Sequence, residues 1–134
     1  MRILVCKNYE EMSKKAAQMI LSQITLKPNA VLGLATGSTP VGMYKNLVDM
    51  YNNGIIDFSE VTTFNLDEYC DLPREHPESY YSFMHTNLFN HIDIKEENVN
   101  IRRFAEISPY CIKKTFSRLA KERYFRIYCY AVFH

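Results

Sequence analysis

Short apolar runs alternate along this chain with longer stretches in which apolar residues recur at helical spacing. Three of the runs have the length and composition of buried strands, and they cover residues 2–6, 30–35 and 61–65. A helical pattern follows each of them, the last over residues 79–91. Strands that alternate with helices pair in parallel, because each helix carries the chain back across one face of the sheet. The pattern therefore predicts an α/β fold with a parallel sheet flanked by helices.

Local signals mark where the first two helices begin and end. Asn8, followed by Glu11 three positions later, resembles a capping box at a helix start. Pro40 suits a first helical turn, and Gly54 is typical of a helix end. The apolar faces predicted for the two helices are Met12, Ala16, Met19, Ile20 and Ile24 for the first and Val41, Tyr44, Leu47, Val48 and Tyr51 for the second.

Composition excludes several classes of protein. With 134 residues, of which 47% are hydrophobic, the chain suits one small globular domain and not a disordered one. No apolar run approaches the roughly 20 residues that span a bilayer, and the N-terminus lacks the pattern of a secretion signal. We therefore expect a cytoplasmic protein with no membrane partner. The net charge of +1 gives no reason to expect nucleic acid as a partner.

The two ends of the chain differ in charge. Residues 102–134 hold eight Lys and Arg against two Glu, whereas residues 1–101 hold eight Lys and Arg against thirteen Asp and Glu. The last part is also glycine-free and rich in tyrosine and phenylalanine. We therefore treat residues 1–101 as the recognisable α/β part and residues 102–134 as a divergent, basic and aromatic tail of uncertain structure.

The cysteine spacing does not predict a metal site. Cys6, Cys70, Cys111 and Cys129 form no Cys-x-x-Cys pair and have no histidine at metal-ligand spacing. We expect buried reduced thiols and no bound metal, with a reactive thiol at Cys70 as the alternative. His85 is expected to be a surface or partly packed residue.

The first candidate site is the segment Thr36, Gly37, Ser38 and Thr39, between a buried strand and a helix start. Open parallel sheets bind ligands at the carboxyl ends of their strands, and a helix N-terminus there favours an anion. Gly37 would let the backbone approach the ligand closely. The pattern leaves two interpretations open: the hydroxyls help to bind a phosphate or carboxylate, or they only cap the helix.

The second candidate site is the sequence NLDEY over residues 65–69, at the carboxyl end of the third predicted strand. Asp67 and Glu68 would face the same crevice as the first segment. Two adjacent acids differ in pKa if one is buried, so that one serves as a general base and the other as an electrostatic partner. The alternative is that both are solvated loop acids.

Three sequences together resemble the glucosamine-6-phosphate deaminase family. They are LGLATGSTP over residues 32–40, TFNLDEY over residues 63–69 and HPESYYSFMH over residues 76–85. The resemblance covers roughly residues 1–101. It implies a modified Rossmann-like fold, frequent homo-oligomers and no cofactor. The family converts glucosamine 6-phosphate to fructose 6-phosphate and ammonia, so a small sugar phosphate is the expected partner.

The resemblance also implies roles for individual residues. Thr36, Gly37, Ser38 and Thr39 would cradle the sugar phosphate. Asp67 would be the catalytic base that moves a proton between C1 and C2, with Glu68 beside it on the substrate-binding side.

The chain departs from the family pattern after residue 101. Family members run to roughly twice this length, and their second half carries a Gly-Asn-Asp-Gly-His-Ile-type segment whose His opens the sugar ring; the sequence here contains no such segment. We therefore expect a truncated member with little or no activity alone. A frame or splice change and a genuine alternative C-terminus both stay open. The alternative functions are a 6-phosphogluconolactonase-like hydrolase and a non-catalytic sugar-phosphate-binding fragment.

Overall fold

The computed structural model describes residues 4–65 and 73–101, together with the backbone of residues 126–127. The helices in these parts are α1 (Tyr9–Leu26), α2 (Val41–Asn52) and α3 (Tyr80–Asn87). The strands are β1 (Val31–Leu34), β2 (Thr62–Asn65), β3 (Val99–Ile101) and β4 (Arg126–Ile127). Two short 3-10 helices, Phe89–His91 and Glu96–Asn98, lie between α3 and β3.

The four strands form one sheet in the order β3-β2-β1-β4, and every pairing in it is parallel. The chain builds outward from β1 to β2 and β3, and then crosses back to place β4 on the other side of β1. Open α/β sheets bind ligands where the strand order reverses in this way, in a crevice at the carboxyl ends of the strands. The predicted α/β fold is confirmed, and the reversal lies between β1 and β4.

The first predicted strand is wrong over the residues that can be compared. Leu4, Val5 and Cys6 lie outside any strand, and Val5 is 87% exposed; residues 1–3 lie outside the described residues. A strand needs a hydrogen-bonded neighbour, and residues 4–6 take part in none of the pairings that join β1, β2, β3 and β4. Aliphatic composition alone therefore does not place residues 4–6 in the sheet. In the described sheet, the strand that accompanies β1 and β2 is therefore β3 and not residues 4–6.

Helix α1 begins where the capping signal predicts, but it buries a different face. The Asn8 side chain accepts a hydrogen bond from the Glu11 N–H at 2.8 Å. The buried residues are Ser13, Ala17, Ile20 and Ile24, whereas Met19 is 39% exposed. The face is rotated because small residues allow α1 to approach α2 closely: a Cβ added to Gly42 would lie 2.4 Å from Ser13 Oγ.

Helix α2 supplies the centre of the core and stops as predicted. Tyr44 and Leu47 are almost fully buried. Beyond the helix, Gly54 takes a φ of +68°, which favours glycine. Its N–H bonds to the Tyr51 carbonyl at 2.9 Å, and the Ile55 N–H bonds to the Met50 carbonyl at 2.9 Å, so the last turn is closed.

Helix α3 is shorter than the predicted stretch over residues 79–91. It begins after Ser79, whose hydroxyl accepts the Ser82 N–H at 3.0 Å, and it ends at Asn87. A 3-10 turn over Phe89–His91 completes the predicted range. Met84 and Leu88 are buried from this segment, which covers the core beside α2.

Candidate substrate-binding site

The loop that joins β1 to α2 lies at the carboxyl end of β1, next to the reversal of strand order. Gly37 has a φ of +94°, and a Cβ placed there would meet nothing within 4 Å. The glycine is therefore required by the backbone conformation and not by crowding. Gly37 and Ser38 are exposed, so the turn presents its backbone to the crevice.

The N-terminus of α2 receives no side-chain cap from its own N-cap residue, and the Gly42 N–H of its first turn donates instead to the Tyr9 hydroxyl at 2.8 Å. Pro40 is the N-cap residue, and the first helical hydrogen bond runs from the Tyr44 N–H to the Pro40 carbonyl at 3.0 Å. The N–H groups of the first turn of a helix have no helical acceptor, so that of the half-buried Val41 is available to a ligand, whereas Met43 is buried. The hydroxyls of Ser38 and Thr39 do not cap the helix, which removes the alternative role considered for them.

Asn65 links the carboxyl ends of β1 and β2. It is 5% exposed, and its side-chain N–H donates to the Leu34 carbonyl at 2.9 Å. Its Oδ1 is buried and has no hydrogen-bond partner in the described part of the chain. Because Asn65 is the last residue of β2, this bond fixes the carboxyl end of β2 against that of β1.

Several predicted residues lie outside the described residues. These are Asp67, Glu68 and Cys70. The structure therefore describes the first candidate segment, residues 36–39, but not the two acids of the second. In the sequence Asp67 stands two positions after Asn65, and Asn65 ends β2 at the edge of the sheet that also carries Gly37. The roles of Asp67 and Glu68 therefore stay predictions.

The arrangement is suited chemically to an anion. The positive end of the α2 dipole, the open N–H groups and the hydroxyls of Thr36, Ser38 and Thr39 all lie between β1 and α2. Within residues 4–65 and 73–101, no group of three or more His, Cys, Asp or Glu side chains could hold a metal ion. Nor does this part of the chain contain a helix long and apolar enough to cross a membrane.

A groove at the opposite edge of the sheet is a weaker candidate. It has a volume of about 310 Å³ and is lined by residues that precede β1 and β2, including Pro28, Ser59 and Glu60. Ile55 contributes an exposed apolar wall. The amino ends of parallel strands are not where open α/β sheets bind substrates. The carboxyl edge therefore remains the better site.

The sequence interpretation missed two polar arrangements. Tyr9, on the first turn of α1, bonds to the loop before α2. His85 packs between the rings of Tyr81 and Phe89, with centroid distances of 4.2 and 5.4 Å. Burial, followed by the charge of Glu96, raises the pKa of the Tyr81 phenol. The Tyr9 contact depends on which helix faces meet and has no local pattern, whereas the four-residue spacing of Tyr81, His85 and Phe89 is a local signal of theirs.

Comparisons with known proteins agree with this geometry. Residues 7–122 match the sequence profile of the family described as glucosamine-6-phosphate isomerases/6-phosphogluconolactonase. A glucosamine-6-phosphate deaminase of Clostridium botulinum (strain Alaska E43 / Type E3) is 64% identical over 124 residues, which are 91% of this chain and 49% of the relative. The solved structure of a monomeric glucosamine-6-phosphate deaminase is 36% identical with a TM-score of 0.78, covering 92% of this chain and 51% of that one.

A solved 6-phosphogluconolactonase from Plasmodium vivax is more distant. It is 26% identical with a TM-score of 0.61, and the match covers 88% of this chain and 43% of that one.

The chain has an α/β fold with a helix start beside the reversal of strand order, and residues 7–122 match the family profile. It therefore belongs to the family of glucosamine-6-phosphate isomerases and 6-phosphogluconolactonases. Within that family it is a homologue of glucosamine-6-phosphate deaminase, about 60% identical over the N-terminal half of such enzymes. The chain spans about half the length of the curated relatives it matches. The family match also continues to residue 122, past residue 101 where the resemblance was expected to stop.

Proposed function

We propose that this chain provides the phosphate-binding and proton-transferring half of a glucosamine-6-phosphate deaminase site. The observation that carries the proposal is the N-terminus of α2, which has no cap from its own N-cap residue and follows the positive-φ Gly37 at the carboxyl end of β1. A sugar phosphate needs fixed N–H donors for its phosphate, and this loop supplies them where the strand order reverses. The deaminase names of the most similar relatives support the choice of sugar.

Asp67 is proposed as the base of the reaction. In an open-chain amino sugar the proton on C2 is acidic because the neighbouring carbonyl stabilises the carbanion. Asp67 would take that proton and return it to C1, after which water replaces the amine and ammonia leaves. A positioned base contributes on the order of 10²–10⁴-fold to such a step. Glu68 is proposed to lie beside the substrate as an electrostatic partner.

A lactonase activity is the second candidate, because the family profile and the Plasmodium vivax structure include 6-phosphogluconolactonases. Both reactions need the same phosphate site, and they differ in the sugar. The deaminase relatives match at 64% identity against 26% for the lactonase, which favours the amino sugar. A non-catalytic sugar-phosphate-binding fragment would share the phosphate site and release no product.

Titration calorimetry of the 134-residue chain tests the proposal. We expect saturable binding of glucosamine 6-phosphate, at least tenfold weaker binding of glucosamine, and weaker binding of 6-phosphogluconate. The first difference measures the contribution of the phosphate, since one hydrogen bond to a charged group is worth about 1.5–3 kcal/mol. Equal binding of glucosamine and its 6-phosphate would contradict the phosphate site. Tighter binding of 6-phosphogluconate would favour the lactonase.

Ammonia release is measured on the same samples, with a full-length deaminase such as that of Clostridium botulinum as the control. We expect release by the 134 residues to be far below that of the control. Turnover at the rate of the control would contradict the view that the residues of this chain form only part of the site. A cytoplasmic location is proposed because phosphorylated sugars are retained inside the membrane that encloses them.

A further inference from the structure

The hydroxyl of Tyr9 lies between the first turn of α1 and the loop that precedes α2. Its oxygen accepts the Gly42 N–H at 2.8 Å. Its hydrogen is shared between the carbonyls of Ser38, at 3.2 Å, and Thr39, at 3.1 Å. One phenol therefore bonds both to the first turn of α2 and to the loop proposed to bind phosphate.

The ring of Tyr9 is held in this place by close helix packing. A Cβ added to Gly42 would lie 2.8 Å from Tyr9 Cε1 and 3.0 Å from Ser13 Cβ. Such distances leave no room for a side chain, so the bare backbone of Gly42 is what allows the ring to lie against α2. Tyr9 is 43% exposed. The position of its ring is therefore fixed mainly by the contact with Gly42 and by the hydrogen bonds of its hydroxyl.

The turn that carries Tyr9 is itself fixed at its start. The Asn8 side chain accepts the Glu11 N–H, and Glu11 Oε2 accepts the Lys7 N–H at 2.7 Å. Lys15 pairs with the same carboxylate at 2.9 Å. The hydrogen bond from Lys15, followed by the one from Lys7, lowers the pKa of Glu11, so the carboxylate stays charged at neutral pH. Tyr9 thus projects from a turn in which the Lys7 and Glu11 N–H groups are held by side chains.

The two carbonyl contacts set the direction of the neighbouring N–H groups. No peptide bond among the described residues is cis. In a trans peptide the C=O and the next N–H point in opposite directions. Because the Ser38 carbonyl points toward Tyr9 and α1, the Thr39 N–H points away from α1 and toward the open side of the loop.

We propose that Tyr9 is a positioning residue that turns the Ser38 carbonyl toward α1 and thereby aims the Thr39 N–H at the phosphate of the substrate. This inference rests on the proposed phosphate site. Tyr9 does not touch the ligand in this arrangement. It occupies the Gly42 N–H, so the phosphate is left with the donors of the loop and with the Val41 N–H.

The test compares the 134-residue chain with its Tyr9→Phe variant and with Tyr51→Phe as the matched control. Tyr51 lies on the last turn of α2, away from the loop, and the control removes the same atom. The probes are glucosamine 6-phosphate and inorganic phosphate. We expect Tyr9→Phe to bind both about 3- to 10-fold more weakly, because a misdirected N–H loses part of one hydrogen bond to a charged group. Tyr51→Phe should bind both like the unsubstituted chain.

A second measurement separates positioning from a loss of folding. Amide hydrogen exchange should quicken at Gly42 in Tyr9→Phe, while the melting temperature falls by no more than it does in Tyr51→Phe. If a folded Tyr9→Phe chain binds both probes as tightly as the unsubstituted chain does, the inference is overturned and the proposed phosphate site is left intact. Failure of the unsubstituted chain to bind either probe would instead overturn the proposed function and the inference with it.

Discussion

Replacing Gly37 with alanine is expected to weaken the binding of glucosamine 6-phosphate by about 10- to 100-fold. Gly37 adopts a φ of +94°, where an L-residue is strained by roughly 1–2 kcal/mol. An alanine relieves this strain by rotating the backbone, which turns the loop N–H groups away from the phosphate. Each lost hydrogen bond to a charged group is worth about 1.5–3 kcal/mol, and this gives the expected factor. Titration calorimetry measures it directly.

Gly54→Ala is the matched control for this substitution. Gly54 also has a positive φ, of +68°, and a Cβ there would likewise meet nothing within 4 Å. It lies beyond the opposite end of α2, so its replacement should cost a similar amount of stability and leave ligand binding unchanged. Equal affinities in Gly37→Ala and Gly54→Ala would show that the loop conformation does not serve binding.

Replacing Tyr44 with alanine is expected to reduce the free energy of unfolding by about 3–5 kcal/mol, which is the range for a large aromatic residue truncated in a core. Tyr44 is fully buried between the sheet and the neighbouring helices, and its hydroxyl donates to the Ala35 carbonyl at 2.5 Å. The substitution removes the largest fully buried side chain and leaves a cavity beneath the loop. Urea denaturation should show a lower midpoint.

Two further variants divide the effect of Tyr44 into its parts. Tyr44→Phe keeps the ring and removes only the bond to Ala35, so it should cost about 1 kcal/mol and remain folded. Tyr51→Ala removes a half-buried ring from the same helix and should cost less than Tyr44→Ala. A loss below about 1 kcal/mol for Tyr44→Ala would contradict the central place given to this side chain in the core.

Features encoded by neighbouring residues could be predicted from the sequence. The capping pair Asn8 and Glu11, the buried run of β1 and the stop at Gly54 each depend on contacts within a few positions. The alternation of strands and helices then implied a parallel sheet, because the crossover geometry allows little else. The position of residues 36–39 at the carboxyl end of β1 follows from the same pattern.

Features that depend on distant contacts could not be predicted in this way. Residues 4–6 have strand-like composition, but they pair with none of the four strands, and strand pairing is a contact with residues distant in sequence. The buried face of α1 is decided by the contact between Ser13 and Gly42. Tyr9 reaches the carbonyls of a loop that lies far along the chain, and its own sequence neighbourhood carries no sign of that contact.

The central claim is that a phosphorylated amino sugar binds at the start of α2. Amide chemical-shift mapping of the labelled 134-residue chain during titration with glucosamine 6-phosphate tests this most directly. We predict the largest changes at Gly37, Ser38 and Thr39 and at the first turn of α2, and none of them with glucosamine at the same concentration. Changes centred on the groove beside Pro28 and Ile55, at the opposite edge of the sheet, would contradict the claim.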